Sequence, residues 1–136
     1  MVLCQECVHR HCRKKLRKLY SEDYKKMTLL EKFLDGVNNK NEANLNETLH
    51  DDYKFAFHAY DKSLSKSEVI KLIMGDSYTN YKQRIIYEND EIGIDHVFVT
   101  FSSGDAPEAV LSVHIIKNGK IISAETGATP VPKFFP

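Results

Sequence analysis

The chain has 136 residues, of which 42% are hydrophobic and 28% charged, and its formal net charge is zero. These values are typical of a globular domain that can bury a core without disulfides or a metal, and they exclude a largely disordered chain. The balanced charge gives no overall field that would attract nucleic acid. No apolar run approaches the roughly 20 residues that span a bilayer. We therefore expect a cytoplasmic protein with no membrane or nucleic-acid partner.

Residues 1–26 differ in composition from the rest of the chain. Cys4, Cys7 and Cys12 all lie there, together with a run of basic side chains. The spacing of Cys4 and Cys7 suits zinc, but structural zinc sites draw their second ligand pair from a separate element. We interpret residues 1–26 as a basic, cysteine-containing extension before a domain over residues 27–136. Two alternatives stay open: Met27 is the true start, or the basic run contacts phosphate or an acidic partner.

The front of the domain is predicted to contain three helices and one aromatic strand. Ser21 begins a helical apolar pattern that ends near Gly36, and a second, shorter helix follows over Asn41–His50. A strand over Tyr53–Tyr60 and a turn over Asp61–Leu64 are predicted next. The third helix begins at a capping box of Ser65 with Glu68 and ends at Gly75-Asp76.

From Tyr81 onward the apolar period changes to two, which is typical of strands. The predicted strands are Tyr81–Glu88, His96–Ser102, Glu108–Lys117 and Lys120–Gly127, and the proline-containing tail Thr129–Pro136 is expected to leave the sheet. Asn118-Gly119 between two apolar runs is a strong hairpin signal. Short connections favour antiparallel pairing, and helices collected at the front pack on one face. The predicted fold class is α+β, with a curved antiparallel sheet wrapped around N-terminal helices and a cavity at its open end.

Three segments together resemble the NTF2-like superfamily, in particular its SnoaL-like and ketosteroid-isomerase-like members. The helix pair leading to Asp51-Asp52-Tyr53 is similar to the family's opening. The strand Asp95–Phe101, apolar residues alternating after an aspartate, and the hairpin Ile116–Ile122 resemble its later strands. The resemblance implies a cone-shaped fold, an internal pocket and a homodimer through the outer sheet face. The stretch Ser123–Thr126 lacks the aspartate of many catalytic members, so a steroid-isomerase mechanism is not predicted.

Alternation along the strands brings candidate catalytic residues together. If one face of the last three strands is the inner one, His96, His114 and Glu125 point into the same cavity. A histidine with a carboxylate of raised pKa could move a proton next to a carbonyl. Val97, Val99 and Phe101 form an equally good buried face, and in that case the three residues are polar groups on the solvent side.

The candidate ligand-binding residues are mostly aromatic, with a few hydroxyls and one further histidine: Tyr53, Phe57, His58, Tyr60, Phe98, Thr100 and Ser112. Such side chains could line a pocket for a small, largely apolar molecule, although aromatics on strands are often simply core. We find no phosphate-cradling glycine loop and expect neither a cofactor nor a metal. The leading hypothesis is a small-molecule-binding protein that could catalyse proton transfer, dehydration or cyclisation. The alternative is a non-catalytic binding or dimerisation module.

Overall fold

The computed structural model describes residues 27–132 of the chain, so the zinc, phosphate and start-site interpretations of residues 1–26 lie outside the described residues. Three helices and six strands follow one another. The helices are α1 (Leu29–Asn38), α2 (Glu42–Thr48) and α3 (Lys66–Met74). The strands are β1 (Leu49–Phe57), β2 (Lys62–Ser65), β3 (Tyr78–Glu88), β4 (Ile92–Phe101), β5 (Glu108–Lys117) and β6 (Lys120–Pro130), with a short 3-10 helix at His58–Tyr60.

Each helix begins at a polar side chain that accepts a backbone N–H of the first turn. Thr28 caps α1, Asn41 caps α2, and Ser65 forms the expected capping box with Glu68 at α3. Helix α1 receives a second acceptor from the sheet, because the carboxylate of Glu88 on β3 accepts from the Leu30 N–H at 3.1 Å. This bond fixes the start of α1 against β3.

The six strands form one curved, mixed sheet in the order β2-β1-β6-β5-β4-β3. All neighbours are antiparallel except β1 and β6, which run parallel. The hairpin between β5 and β6 turns at Asn118-Gly119, where both residues have positive φ (53° and 75°), as a two-residue turn of this kind requires. The predicted α+β fold class and antiparallel meander are confirmed, whereas β1 joins the sheet in parallel through the last strand.

Several element predictions are wrong. The first described helix begins at Leu29, not at Ser21, and the first strand ends at Phe57 because His58–Tyr60 form a 3-10 helix. Lys62–Ser65 is a short edge strand paired with Lys54–Phe57 rather than part of a turn, and its sequence carries no apolar alternation that would reveal it. Strand β6 continues through Thr129 and Pro130, which pair with β5. A proline is tolerated there because β1 pairs with β6 only as far as Thr126, so the N–H that Pro130 lacks faces no further strand.

The two faces of the sheet differ in their surroundings. We call the face covered by the helices the inner face and the opposite one the outer face. On β4 burial alternates strictly, with Asp95, Val97 and Val99 buried on the inner face. Gly93 lies so close to α1 that a Cβ there would stand 2.9 Å from Leu30 Cδ2. The core lies between this face and the three helices. Among the described helices, none combines the length and apolar character needed to cross a bilayer.

Candidate functional site

A buried histidine and a buried aspartate face each other on the inner face. Asp95 on β4 is 2% exposed and His114 on β5 is 4% exposed. The β4–β5 register places Ser112 opposite Asp95 and Gly93 opposite His114, so the two side chains are diagonal neighbours. His114 Nε2 and Asp95 Oδ2 are 2.5 Å apart. A polar pair this deep in an apolar core costs free energy to bury, and it is tolerated because the two groups bond each other.

The remaining oxygen of Asp95 is also bonded. Gln83 on β3 donates from Nε2 to Asp95 Oδ1 at 3.3 Å. The aspartate influences its surroundings as well, since burial and then the nearby charge of Asp95 raise the pKa of the Tyr53 phenol. Both oxygens of Asp95 thus have partners, and its carboxylate is held in one orientation.

The second ring nitrogen of His114 is available. Nδ1 is buried and has no hydrogen-bond partner among residues 27–132. An ionised carboxylate can only accept, so the hydrogen of a neutral His114 lies on Nε2 and the lone pair on Nδ1. The Phe33 ring of α1 packs edge-on against the imidazole, with 5.6 Å between ring centroids. The arrangement therefore offers a positioned base whose orientation is set by an aspartate, the relation used in general acid–base catalysis.

A chain of side-chain amides leads from this pair to a cavity. Asn80 donates to Asn38 at 3.2 Å, and Asn38 donates to Gln83 at 2.7 Å. Gln83 then donates to Asp95, which bonds His114. Neighbouring bonds in such a network polarise one another. Asp95 is consequently bonded directly to Gln83 of the cavity lining, and His114 is one side chain further away.

The cavity lies where the C-terminal ends of α1 and α3 meet β3. Its volume is about 480 Å³, within the range of small-molecule sites. Its lining residues are Val37, Asn38, Lys40, Ile73, Asp76, Tyr78, Thr79, Asn80, Lys82 and Gln83. Burial raises the pKa of the Tyr78 phenol to about 12, so this hydroxyl stays protonated at neutral pH. The lining combines apolar side chains with amides and charges, which suits a molecule with a hydrocarbon part and a polar end.

The structure does not bring the three predicted catalytic residues together. His114 lies on the inner face, but His96 is paired with Leu111 on the outer face and packs against Phe98. Glu125 also reaches the outer side, where it bonds His58 at 2.9 Å with both side chains more than half exposed. The prediction that the three point into one cavity is therefore wrong for His96 and Glu125. For His96 the reason is that the buried face of β4 is the alternative one, with Val97 and Val99.

Glu125 was misplaced by an irregularity in the β5–β6 ladder. Ile116 pairs with Ile121, but Ile115 pairs with Ser123, so one extra residue of β6 is inserted. After such a bulge every side chain changes face. Ala124 therefore takes the position beside His114, and Glu125 points to the other side.

The predicted ligand-binding residues are also divided. Tyr53 and Ser112 are buried on the inner face, and Phe57 lies at the end of β1, where its ring contacts Tyr60 at 4.9 Å. His58 and Tyr60 are exposed. Phe98 and Thr100 are half-buried on the outer face. None of the seven lines the cavity described above, and their role in binding stays a prediction.

Two residues of the site were missed by sequence reasoning, Asp95 and Gln83. The signal for Asp95 was present, because it alternates in step with Val97 and Val99 and so shares their buried face. An acidic residue that alternates in step with buried apolar residues is itself buried, so it has either a bonding partner or a functional role. Gln83 gave no such signal, since it follows an irregularity in β3. Within residues 27–132 no cluster of three or more metal-ligating side chains occurs.

Comparison with solved structures identifies the fold. Similar structures include an NTF2-like protein of unknown function from Cytophaga hutchinsonii (TM-score 0.62, 13% identity, 75% of this chain and 88% of that chain). A candidate ketosteroid isomerase from Kribbella flavida has a TM-score of 0.64 at 12% identity (79% and 80%). An LEH-like epoxide hydrolase from M. tuberculosis has a TM-score of 0.59 at 12% identity (74% and 80%).

These similarities show that the chain has the NTF2-like cone fold, which confirms the resemblance seen in its sequence. No family model matches the sequence, and no curated protein matches it. At identities this low the comparisons establish architecture and leave the chemistry to be argued from the site itself.

Proposed function

We propose that this protein binds a small, largely apolar molecule in the cavity and transfers a proton with His114 as the catalytic base. The observation that carries the proposal is the buried His114–Asp95 pair, whose Nδ1 has no partner among the described residues. Asp95 acts as a positioning residue that fixes the tautomer and orientation of the ring. Proton abstraction next to a carbonyl fits this geometry, and dehydration and cyclisation use the same step.

The cavity supports the proposal because it is linked to the His114–Asp95 pair through Gln83. Val37, Ile73 and Tyr78 provide an apolar wall for the body of the molecule. Gln83 both lines the cavity and donates a hydrogen bond to Asp95. In this proposal the reacting end of the molecule enters between α1 and the sheet and displaces the Phe33 ring from the imidazole. Two of the similar structures are named as a candidate isomerase and an epoxide hydrolase, which supports an enzymatic role and identifies no substrate for this chain.

The tautomer of His114 tests the proposal before any ligand is known. Nitrogen-15 spectra of the imidazoles at pH 7 should show hydrogen on Nε2 and a bare Nδ1 for His114. Asp95→Asn weakens this preference, so its spectrum should move toward a mixture of tautomers. Hydrogen on Nδ1 in the wild-type protein would remove the base and with it the proposal.

A co-purified molecule gives the second test. Native mass spectra under gentle and then denaturing conditions should release a small molecule from the purified protein. Wild-type protein should convert that molecule or a close analogue, whereas His114→Gln should bind it and convert it at least about a hundredfold more slowly. His96→Gln, which removes a histidine from the outer face, is the matched control and should retain activity. Equal loss in both variants would contradict a role particular to His114.

A homodimerisation module is the second candidate, supported by the outer face. Leu111 and Ile115 on β5 are 44% and 41% exposed, and Tyr81 and Tyr87 on β3 are also exposed. Contiguous exposed apolar side chains commonly mark an interface. Light scattering should give a dimer mass for the wild type and a monomer for Leu111→Lys with Ile115→Lys. A wild-type monomer at high concentration would exclude this candidate.

A further inference from the structure

The cavity is locally basic in an acidic domain. Residues 27–132 contain ten Lys and Arg side chains against sixteen Asp and Glu side chains. The cavity lining holds two lysines, Lys40 and Lys82, and one acid, Asp76. A cationic site on a surface of the opposite sign selects an anion by charge and repels cationic ligands.

Lys40 and Asp76 neutralise each other. Lys40 Nζ bonds Asp76 Oδ1 at 2.6 Å and the Gly75 carbonyl at 2.7 Å, which ties the end of α1 to the end of α3. The hydrogen bond and charge of Lys40 lower the pKa of Asp76, so the acid is ionised at neutral pH. This pair leaves Lys82 as the uncompensated charge of the lining.

Lys82 has an unusual backbone conformation and a side chain without a partner among residues 27–132. Its φ is 51°, in the left-handed region that disfavours residues with a Cβ. It lies in an irregularity of the β3–β4 ladder between Tyr81 and Arg84. Lys40 has the same φ of 51°, but its side chain is used to join two helices. The Lys82 side chain makes no hydrogen bond or ion pair with any described residue, unlike the Lys40 side chain.

Amide groups stand beside this cation. Asn80 uses one N–H to reach Asn38, which leaves its second N–H for another acceptor. A planar carboxylate can take one bond from an ammonium and another from an amide, and such charge-assisted bonds are stronger than neutral ones. Val37 and Ile73 line the same cavity and would contact a hydrocarbon chain.

We propose that the cavity binds a small organic acid, with its carboxylate on Lys82 and Asn80 and its hydrocarbon part on Val37 and Ile73. The proposal rests on the proposed function, because it names the ligand class of the same site. It also gives the left-handed Lys82 a role: the bulge directs a cation at the cavity that a regular strand would direct elsewhere.

Hexanoate and hexanamide are suitable probes because they share a hydrocarbon chain and differ in charge. Titration followed by backbone amide spectra at pH 7 should show hexanoate shifting the signals of Thr79, Asn80 and Gln83, with no saturable shift from hexanamide. Lys82→Gln should bind hexanoate roughly tenfold more weakly. Lys117→Gln, which removes a lysine from the distant β5–β6 turn, should bind as the wild type does.

Lys82→Gly separates binding from folding. Glycine accepts positive φ without cost, so this variant should unfold at or above the wild-type temperature while losing hexanoate binding. Equal affinity of hexanoate and hexanamide, or equal weakening by Lys82→Gln and Lys117→Gln, would overturn the proposal. His114→Gln should bind hexanoate normally. If hexanoate does not bind but His114 carries its hydrogen on Nε2, only the proposed ligand class is refuted. If hexanoate binds but His114 carries its hydrogen on Nδ1, only the proposed base is refuted.

Discussion

The inner and outer faces of the sheet each carry an exception to the usual distribution of polar and apolar groups. The inner face, covered by helices, contains the bonded pair Asp95 and His114. The outer face exposes apolar side chains such as Leu111 and Ile115. A buried polar group and an exposed apolar patch are the informative exceptions to the rule of burial. Each points to a partner: a small molecule on the inner side, and a protein surface on the outer side.

The same residue types have different consequences on the two faces. His114 is held by Asp95 within the core, whereas His58 meets Glu125 where both are more than 60% exposed. Water screens the exposed pair, so it contributes little to stability. A histidine–carboxylate pair is therefore a candidate site only where burial fixes its geometry, and the predictions below test that distinction.

The largest expected effect comes from breaking the buried pair. Asp95→Ala leaves His114 buried without its partner and should lower the free energy of unfolding by about 3–5 kcal/mol, measured by urea denaturation. Asp95→Asn keeps an acceptor and should cost less. The matched change on the outer face, Glu125→Ala, should alter stability by less than about 0.5 kcal/mol. Similar losses at both positions would mean that burial does not distinguish the pairs.

Glycine positions probe the packing of the two faces. Gly93→Ala places a Cβ 2.9 Å from Leu30 Cδ2, and Leu30 is fully buried and cannot move aside. We expect a loss of about 1–3 kcal/mol in thermal or urea unfolding. Gly127→Ala on β6 meets nothing within 4 Å and should be neutral or slightly stabilising. A neutral Gly93→Ala would show that α1 lies further from the sheet.

Alkaline pH should lower the free energy of unfolding through Tyr78, a partly buried tyrosine on the inner face. The pKa of Tyr78 is raised from 10.0 to about 12 in the folded protein, so between these values the unfolded chain loses its proton first. Stability is unaffected below pH 10 and then falls, by about 1.4 kcal/mol at pH 11 from this residue. Tyr78→Phe should remove that part of the dependence, while Tyr87→Phe, an exposed tyrosine of the same strand, should leave it unchanged. An identical alkaline slope in Tyr78→Phe would contradict the assignment.

The smallest expected loss of stability comes from the N-terminal cap of α3, which lies on neither face of the sheet. Its size gives a reference for the other losses. Ser65→Ala removes the capping box of α3 and should cost about 1 kcal/mol in urea unfolding. The bonds to Ser65 lower the pKa of Glu68. That part of the stabilisation is present above the ordinary pKa of 4.5 and is lost as the pH falls through the folded value. Ser63→Ala in β2 is the control, and a cost equal to that of Ser65→Ala would argue against the cap.

Most of this fold can be predicted from short stretches of sequence. Which face of the sheet each strand residue occupies cannot be predicted in that way. The capping box at Ser65, the Asn118-Gly119 turn and strand β5 all follow from short stretches of sequence. The face of each strand could not be read in the same way, because one inserted residue in β6 reverses Glu125. His114 was predicted as a candidate, but its partner Asp95 is nineteen residues away and depends on the register of β4 against β5.

The position of β6 affects the order in which this protein can assemble during synthesis. Strand β6, the last strand within residues 27–132, lies between β1 and β5, and it is the link through which β1 joins the rest of the sheet. Strands β3 to β5 can pair with one another as they leave the ribosome, and β1 can pair with β2. The β1–β2 pair, however, joins the other strands only after β6 has been made. We expect the front half of the domain to stay open to chaperones until β6 has been synthesised, because β1 joins the rest of the sheet only through β6.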